Sequence, residues 1–272
     1  MASDALRRRM DETLTRYHLL AMVPREMPLA VASVDGDRPE VWDANQVRSV
    51  RADEPDEIDA TLAWIESTYA GYPHRRVSID GATPAPFEAR LALDSWEQTP
   101  VIQAVLSGAL EDIRPLPPGA AIRPVTSDDD WAVMVHLTRL DHLEEATKEH
   151  RDPWDAALTE DIVGHRRRKA PEVQAYVASL DGADVGMFSA MAGVDGMGLV
   201  EDLFVVPEAR GRGIAQALIG HCVDDARSRG ARDVIIGSDP NDWPKRLYAR
   251  LGFRPVFVER FWDREIPPTV TD

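Results

Sequence analysis

Apolar positions recur along this chain with two periods, one helical and one alternating, and the switches between them mark out its elements. Over residues 2–20, Leu6, Met10, Leu14, Tyr17 and Leu20 fall at helical spacing and predict an opening helix that ends before Pro24. Residues 29–34 and 47–50 predict short strands on either side of the turn-rich D-G-D-R-P. Residues 56–70 predict an amphipathic helix with Ile58, Leu62, Ile65 and Tyr69 on one face. Residues 74–79 read as a strand and 86–94 as a helix, while 101–106 fits either. Short elements of both kinds in alternation indicate a small α/β or α+β unit over 1–112. Three prolines and a glycine in I-R-P-L-P-P-G-A-A, residues 113–121, predict a linker.

The pattern beyond it is cleaner and predicts a second domain over 122–266. A strand at 122–126 leads to Ser127 or Asp128, either of which can cap a helix carrying Trp131, Met134, Val135 and Leu140; residues 155–169 make another helix. Strands at 174–180 and 184–192 are joined by Asp181-Gly182-Ala183, a good hairpin turn. Val194-Asp195-Gly196 turns the chain into a strand over 199–206, which Pro207 stops by withdrawing a backbone donor. Ile214, Ala217, Leu218, Cys222 and Ala226 then form a helical stripe that runs to Gly230. A strand at 233–237, a helix at 242–251 and a strand at 255–262 complete the order β-α-α-β-β-β-α-β-α-β.

Composition changes this picture in three ways. At 272 residues and 44% hydrophobic content, two domains of moderate size can each bury a core. A formal charge of −16 argues against a nucleic-acid binder and favours cationic small-molecule partners. One cysteine, Cys222, excludes an intrachain disulfide and a thiolate zinc cluster, and its apolar helical face makes it a core residue. The start M-A-S-D-A-L-R-R-R-M lacks the apolar run of a secretory signal and no apolar stretch is long enough to span a membrane, so a soluble cytoplasmic protein with no membrane partner is expected.

The candidate chemistry sits between the strand ending at Val206 and the helix after it. Arg210, Gly211, Arg212, Gly213, Ile214 and Ala215 have the composition of an anion cradle. Glycines let successive N–H groups face one oxygen cluster, the helix N-terminus adds partial positive charge, and two arginines add full ones. The ligand this predicts is a pyrophosphate. The Gly-Lys-Ser/Thr of a Walker loop is missing, as are the spacing and acid of a Rossmann loop. The segment resembles the acyl-CoA loop of the GNAT superfamily of N-acyltransferases, Arg/Gln-x-x-Gly-x-Gly/Ala, met by Arg210, Gly213 and Ala215. Asn241-Asp242-Trp243-Pro244-Lys245-Arg246-Leu247-Tyr248-Ala249-Arg250-Leu251-Gly252-Phe253 is similar to the same family's asparagine followed by an L-Y-x-x-x-G-F helix. Pro244 departs from many relatives but suits a first helical turn.

The resemblance implies a GNAT fold over 122–266, an α/β (α+β) architecture with a mixed, mostly antiparallel central sheet flanked by helices, preceded by a smaller α/β domain. It implies an N-acetyltransferase that uses acetyl-CoA as cosubstrate, needs no metal, and acts on a small-molecule or peptide amine by direct attack; a CoA-sensing module without catalysis is the alternative. Leu203, Phe204 and Val205 would line the acyl end of the cofactor, with a backbone N–H at about Val205 holding the oxyanion. Asn241 would bond the pantetheine arm and Tyr248 would protonate the leaving thiolate. Glu201 is the candidate base because regular alternation puts it on the face of Leu203 and Val205, whereas Asp202 faces away unless a bulge intervenes. A homodimer is compatible with this reading.

Other patterns read more plainly. His142 and Glu145 share a helical face, but without H-E-x-x-H they read as a solvated helix surface. The run His165-Arg166-Arg167-Arg168-Lys169 reads as a charged helix end favoured by the dipole, with the 3′-phosphate of CoA as the other candidate. Residues 77–106 echo 234–262 in kind, which suggests a degenerate GNAT-like unit in tandem. The echo has no arginine-glycine loop and has Ala92 near the place of the tyrosine, so no second CoA is expected.

Overall fold

The computed structural model describes residues 4–267. The chain folds as two compact units. One takes the chain up to Gln103 with Ser238–Asp242 and everything from Val256 on; the other takes Ala104–Gly237 and Trp243–Pro255.

The second unit holds β6 (Ala120–Pro124), α4 (Asp128–Lys148), α5 (Ala156–Arg168), β7 (Val173–Leu180), β8 (Ala183–Val194), β9 (Met197–Val205), α6 (Ile214–Ser228), β10 (Asp233–Ser238, but for its last residue) and α7 (Pro244–Arg250). Strands β6, β7, β8 and β9 pair antiparallel in sequence order, and β10 joins β9 in parallel. Asp181-Gly182 and Asp195-Gly196 all take positive φ, which lets two-residue turns close the β7–β8 and β8–β9 hairpins. Helix α6 covers one face, burying Ile214, Leu218, Cys222 and Ala226 against Val200 and Val234. Trp131, Met134 and Leu137 of α4 and Val163 of α5 pack on Phe204, Val177 and Met187 in a separate cluster. Ser127 caps α4 in a capping box with Asp130, as the sequence leads one to expect. The expected fold class and the buried place of Cys222 are borne out.

The first unit holds α1 (Asp4–Leu19), β1 (Val23–Met27), β2 (Ala30–Val34), β3 (Val47–Arg48), α2 (Pro55–Thr68), β4 (His74–Ile79), α3 (Ala85–Leu93), the first residues of β5 (Glu97–Leu106), and β11 (Arg254–Glu265) from Val256. Ala2 and Ser3 of the expected opening helix lie outside the described residues. Strand β1 was not expected: Pro24 argues against a strand, but β1 is an exposed edge whose single neighbour is β2. The linker expected over 113–121 lies inside the second unit, and the strand expected to close that domain behaves differently: β11 pairs antiparallel with β4. Strands β3 and β4 are parallel, Val47 opposite Val77, with α2 between them and α3 after, the order that β9, α6, β10 and α7 repeat.

The two sides of the first unit's sheet differ in chemistry. Val47, Val77 and Ile79 face Ile58, Ile65, Phe87 and Leu91 in an apolar core. Alternation turns Arg48 and Ser78 to the other side. There the Glu259 carboxylate accepts from Arg48 Nη2 at 2.6 Å, Ser78 Oγ at 2.6 Å and Gln103 Nε2 at 2.8 Å, and Arg48 Nη1 also donates to Gln46 Oε1 at 3.1 Å. Arg48 and Glu259 are 3% and 1% exposed. No helix among the described residues is long and apolar enough to cross a membrane.

Candidate functional site

Strands β9 and β10 run together only part of the way. Their ladder ends where Val200 meets Ile236, while β9 continues to Val205. Beyond Val200 the ladder with β10 does not continue, and one backbone group of this stretch, Val205 O, accepts from a side chain instead, Arg210 Nε at 2.8 Å.

A bulge opens the same stretch on the β8 side. Met187 pairs with Phe204 and Ser189 with Glu201, so Asp202 and Leu203 together stand opposite Phe188, and Asp202 takes φ 67°. The bulge corrects the expected facing of the acidic pair. Val200 and Val205 share the α6-side core although they differ by an odd number of positions, so Val200, not Glu201, shares the face of Leu203 and Val205. Phe204 faces α4 and α5 instead, and so does Asp202, whose Oδ1 accepts from Arg166 Nη2 of α5 at 2.6 Å.

Past β9, Pro207–Ala209 makes one turn of 3₁₀ helix, and Gly211 and Gly213 take φ 74° and 92°, values that L side chains reach only under strain. Gly213 is the N-cap of α6, and no side chain caps this end. Ala217 N–H is bonded to Gly213 O at 3.0 Å, so the N–H groups of Ile214, Ala215 and Gln216 point out of the first turn without intrahelical partners. That is an anion cradle in form. Arg212 is half-exposed beside it, in a 3.5 Å ion pair with an exposed Asp181 that contributes little.

Arg210 does something else. Its Nε donates to Val205 O at 2.8 Å, its two Nη atoms hold the Glu144 carboxylate of α4 at 2.9 and 2.5 Å, and its N–H is used by Pro207 O. The guanidinium expected on a phosphate is a strut between α4 and the end of β9.

Tyr248 lies on α7, 6% exposed, within the α6-side core. Its position follows from a local rule: Gly252, at φ 98°, ends the helix, Phe253 N–H returns to Tyr248 O at 3.1 Å, and the two rings lie 6.2 Å apart. This is a Schellman closure with its hydrophobic contact, and it accounts for the L-Y-x-x-x-G-F spacing. Asn241 has an exposed side chain, and its N–H is bonded to Asp239 Oδ1 at 2.5 Å.

Helix α4 brings a set of acids that the sequence reading had placed on a solvated surface. His142 is buried instead, its Nδ1 shared with Thr159 Oγ1 at 3.0 Å and its ring edge-on to Trp154. Burial lowers its pKa to about 4, so it is neutral at pH 7. Burial pushes the half-buried Asp141 up to about 7, with Glu145, Glu144 and Asp202 adding to the rise and Arg166 opposing it. Glu145 is raised for the same first reason, whereas the hydrogen bonds from Arg210 hold Glu144 down at about 2. Arg166, expected at a charged helix end favoured by the dipole, spans Thr138 Oγ1 at 3.3 Å and Asp202. Sequence reasoning missed Asp141 and Arg166; helical spacing from Thr138 is the one signal that could have found Asp141.

The comparisons with known proteins agree with this geometry. Residues 135–253 match the model of the acetyltransferase (GNAT) family. The chain is 33% identical over 125 residues to glucosamine 6-phosphate N-acetyltransferase of Trypanosoma brucei brucei, covering 44% of this chain and 80% of that one. It is 31% identical over 173 residues to mycothiol acetyltransferase of Actinosynnema mirum, covering 61% of this chain and 54% of that one, about half its length. A solved tandem GNAT protein from the clavulanic acid biosynthesis pathway shares the fold over 95% of this chain and 96% of its own, with TM-score 0.57 and 17% identity. With its cradle, its parted strands and a relative matched over most of its length, the chain belongs to the GNAT family and is an acyltransferase.

Proposed function

We propose that the chain transfers the acetyl group of acetyl-CoA to a primary amine of a small-molecule or peptide acceptor by direct attack. The observation that carries this reading is the parting of β9 from β10 beyond Val200, which ends at an uncapped α6. A pantetheine arm laid along the edge of Leu203, Phe204 and Val205 adds to β9 as a further strand would. The pyrophosphate then reaches the N–H groups of Gly211 to Ala215, with Arg212 adding charge. The thioester oxygen develops its charge against a backbone N–H near Val205. Tyr248 gives a proton to the thiolate as it leaves.

The acidic chain favours a cationic amine, and the relatives named for glucosamine 6-phosphate and mycothiol support an acceptor of small size. The first unit is a degenerate GNAT-like repeat, supported by the shared order β3-α2-β4-α3 and by the likeness to a tandem GNAT protein. It takes no cofactor. Glu54 and Glu57 form a capping box at the start of α2, and Glu57 Oε2 accepts from the N–H groups of Asp53 and Glu54, so a carboxylate already sits where a phosphate would go.

Two measurements test the reading. Acetyl-CoA at a hundredfold excess over its Kd stabilises the native chain by about 2.7 kcal/mol and so raises Tm by several degrees; no shift at millimolar acetyl-CoA sinks the proposal. Tyr248→Phe should lower kcat by about 10²-fold or more with acetyl-CoA affinity unchanged. Equal loss of affinity and turnover would remove Tyr248 from the acid's role.

A further inference from the structure

We propose that Asp141 on α4 is the base that takes the proton of the acceptor amine; this rests on the acetyl-transfer reading above. Helix α4 is fixed over the bulge by two contacts. Leu137 packs in one cluster with Phe204 of β9, and Thr138 Oγ1 accepts from the same Arg166 that holds Asp202. Asp141 stands one turn further along that face, which puts it beside Asp202, where β9 has parted from β10.

Two of the neighbouring carboxylates are already engaged. Asp202 is bonded to Arg166, and Glu144 to Arg210 and Lys148. Glu145 lies toward the helix end, among Glu149, Lys148 and Arg151. The Asp141 carboxylate makes no hydrogen bond or ion pair among the described residues. The charges that face it are Glu144 and Glu145 on α4, Arg166 on α5 and Asp202 on β9, a net negative set that draws an ammonium in. Burial keeps its proton affinity near neutrality, in the range where a base is effective at pH 7.

The proton count closes. Asp141 takes one proton from the acceptor ammonium, and the freed nitrogen pair forms the C–N bond to the thioester carbonyl. The tetrahedral adduct collapses with cleavage of the C–S bond, the thiolate takes the Tyr248 proton, and the tyrosinate is restored by the second proton leaving nitrogen. Asp141 passes its own proton to solvent.

The test uses the full chain, acetyl-CoA, and the best wild-type acceptor among glucosamine, glucosamine 6-phosphate, spermidine and a lysine peptide, followed by thiol release. Asp141→Asn should lower kcat by about 10²-fold or more, leave acetyl-CoA binding by calorimetry unchanged, and erase the acidic limb of kcat/KM that the wild type shows near pH 7. Asp141→Glu should recover part of the rate. A second readout is independent of turnover: because the folded pKa lies above the ordinary 3.8, the wild type loses stability as pH rises through this window. The Tm of Asp141→Asn should therefore exceed the wild type's at pH 8 and match it near pH 4. Wild-type kcat in Asp141→Asn, a surviving acidic limb, or a wild-type kcat/KM flat from pH 5.5 to 8 would each overturn the assignment while acetyl transfer stands. A wild type that transfers to none of the amines would overturn transfer and base together.

Discussion

Gly213→Glu should abolish acetyl-CoA binding in a chain that stays folded. A Cβ built on Gly213 meets nothing within 4 Å, so the new side chain starts into open space, and the positive φ there costs about 1–2 kcal/mol. Part of that cost is offset, since a carboxylate at a helix N-terminus is favourable by about 0.3–1 kcal/mol. The cofactor meets the opposite balance. The glutamate takes the N–H groups of the first turn of α6 and sets a negative charge against the pyrophosphate. Losing two or three charge-assisted hydrogen bonds at about 1.5–3 kcal/mol each lowers affinity by about 10²-fold or more. Gly213→Ala keeps the strain without the charge and should fall between. Calorimetric titration decides: one acetyl-CoA per wild-type chain and none per Gly213→Glu chain is the expected result. A stoichiometry near two, or tight binding left in the variant, would mean that the first unit has a cradle of its own.

An effect of similar size is expected within the first unit. Glu259→Ala removes the carboxylate that receives Arg48, Ser78 and Gln103, and leaves a guanidinium only 3% exposed with the neutral Gln46 oxygen as its remaining side-chain partner. Breaking a buried pair in this way costs about 3–5 kcal/mol, because the uncompensated charge and not the lost attraction dominates. Adding Arg48→Met should restore most of the loss, since an apolar side chain leaves no stranded charge. Urea unfolding of the single and double variants measures this. A loss below about 1 kcal/mol in the single variant would mean that solvent reaches Arg48.

How much of this was legible in the sequence depends on how far apart the cooperating residues lie. The end of β9 at Pro207, the left-handed Gly211 and Gly213, the stop of α6 near Gly230, and the Schellman closure of α7 at Gly252 all act within a few residues, and composition gave each of them away. The bulge at Asp202 did not show, because nothing local distinguishes a strand that alternates from one that slips against its neighbour. Arg210 looked like a phosphate ligand by its place in the loop, yet its partner Glu144 lies 66 positions earlier. Asp141, Arg166 and Asp202 come from a helix, another helix and a strand, and only packing unites them. Strand β1 was hidden by a proline that an edge tolerates.

The pairing of β11 with β4 has a consequence for how the chain comes to be folded. As the chain is synthesised, residues 104–237 form a continuous stretch that carries β6 to β9, α4 to α6 and nearly all of β10, and they can condense as they emerge. The first unit is made earlier but is completed later. Its β4 waits for a partner strand that is translated only after the whole of 104–237, and Arg48 waits with it for Glu259, 211 residues downstream. Until then the nascent first unit presents an open β4 edge and an unneutralised arginine. A ribosome-bound fragment ending before β11 is thus the stage at which this protein most needs a chaperone.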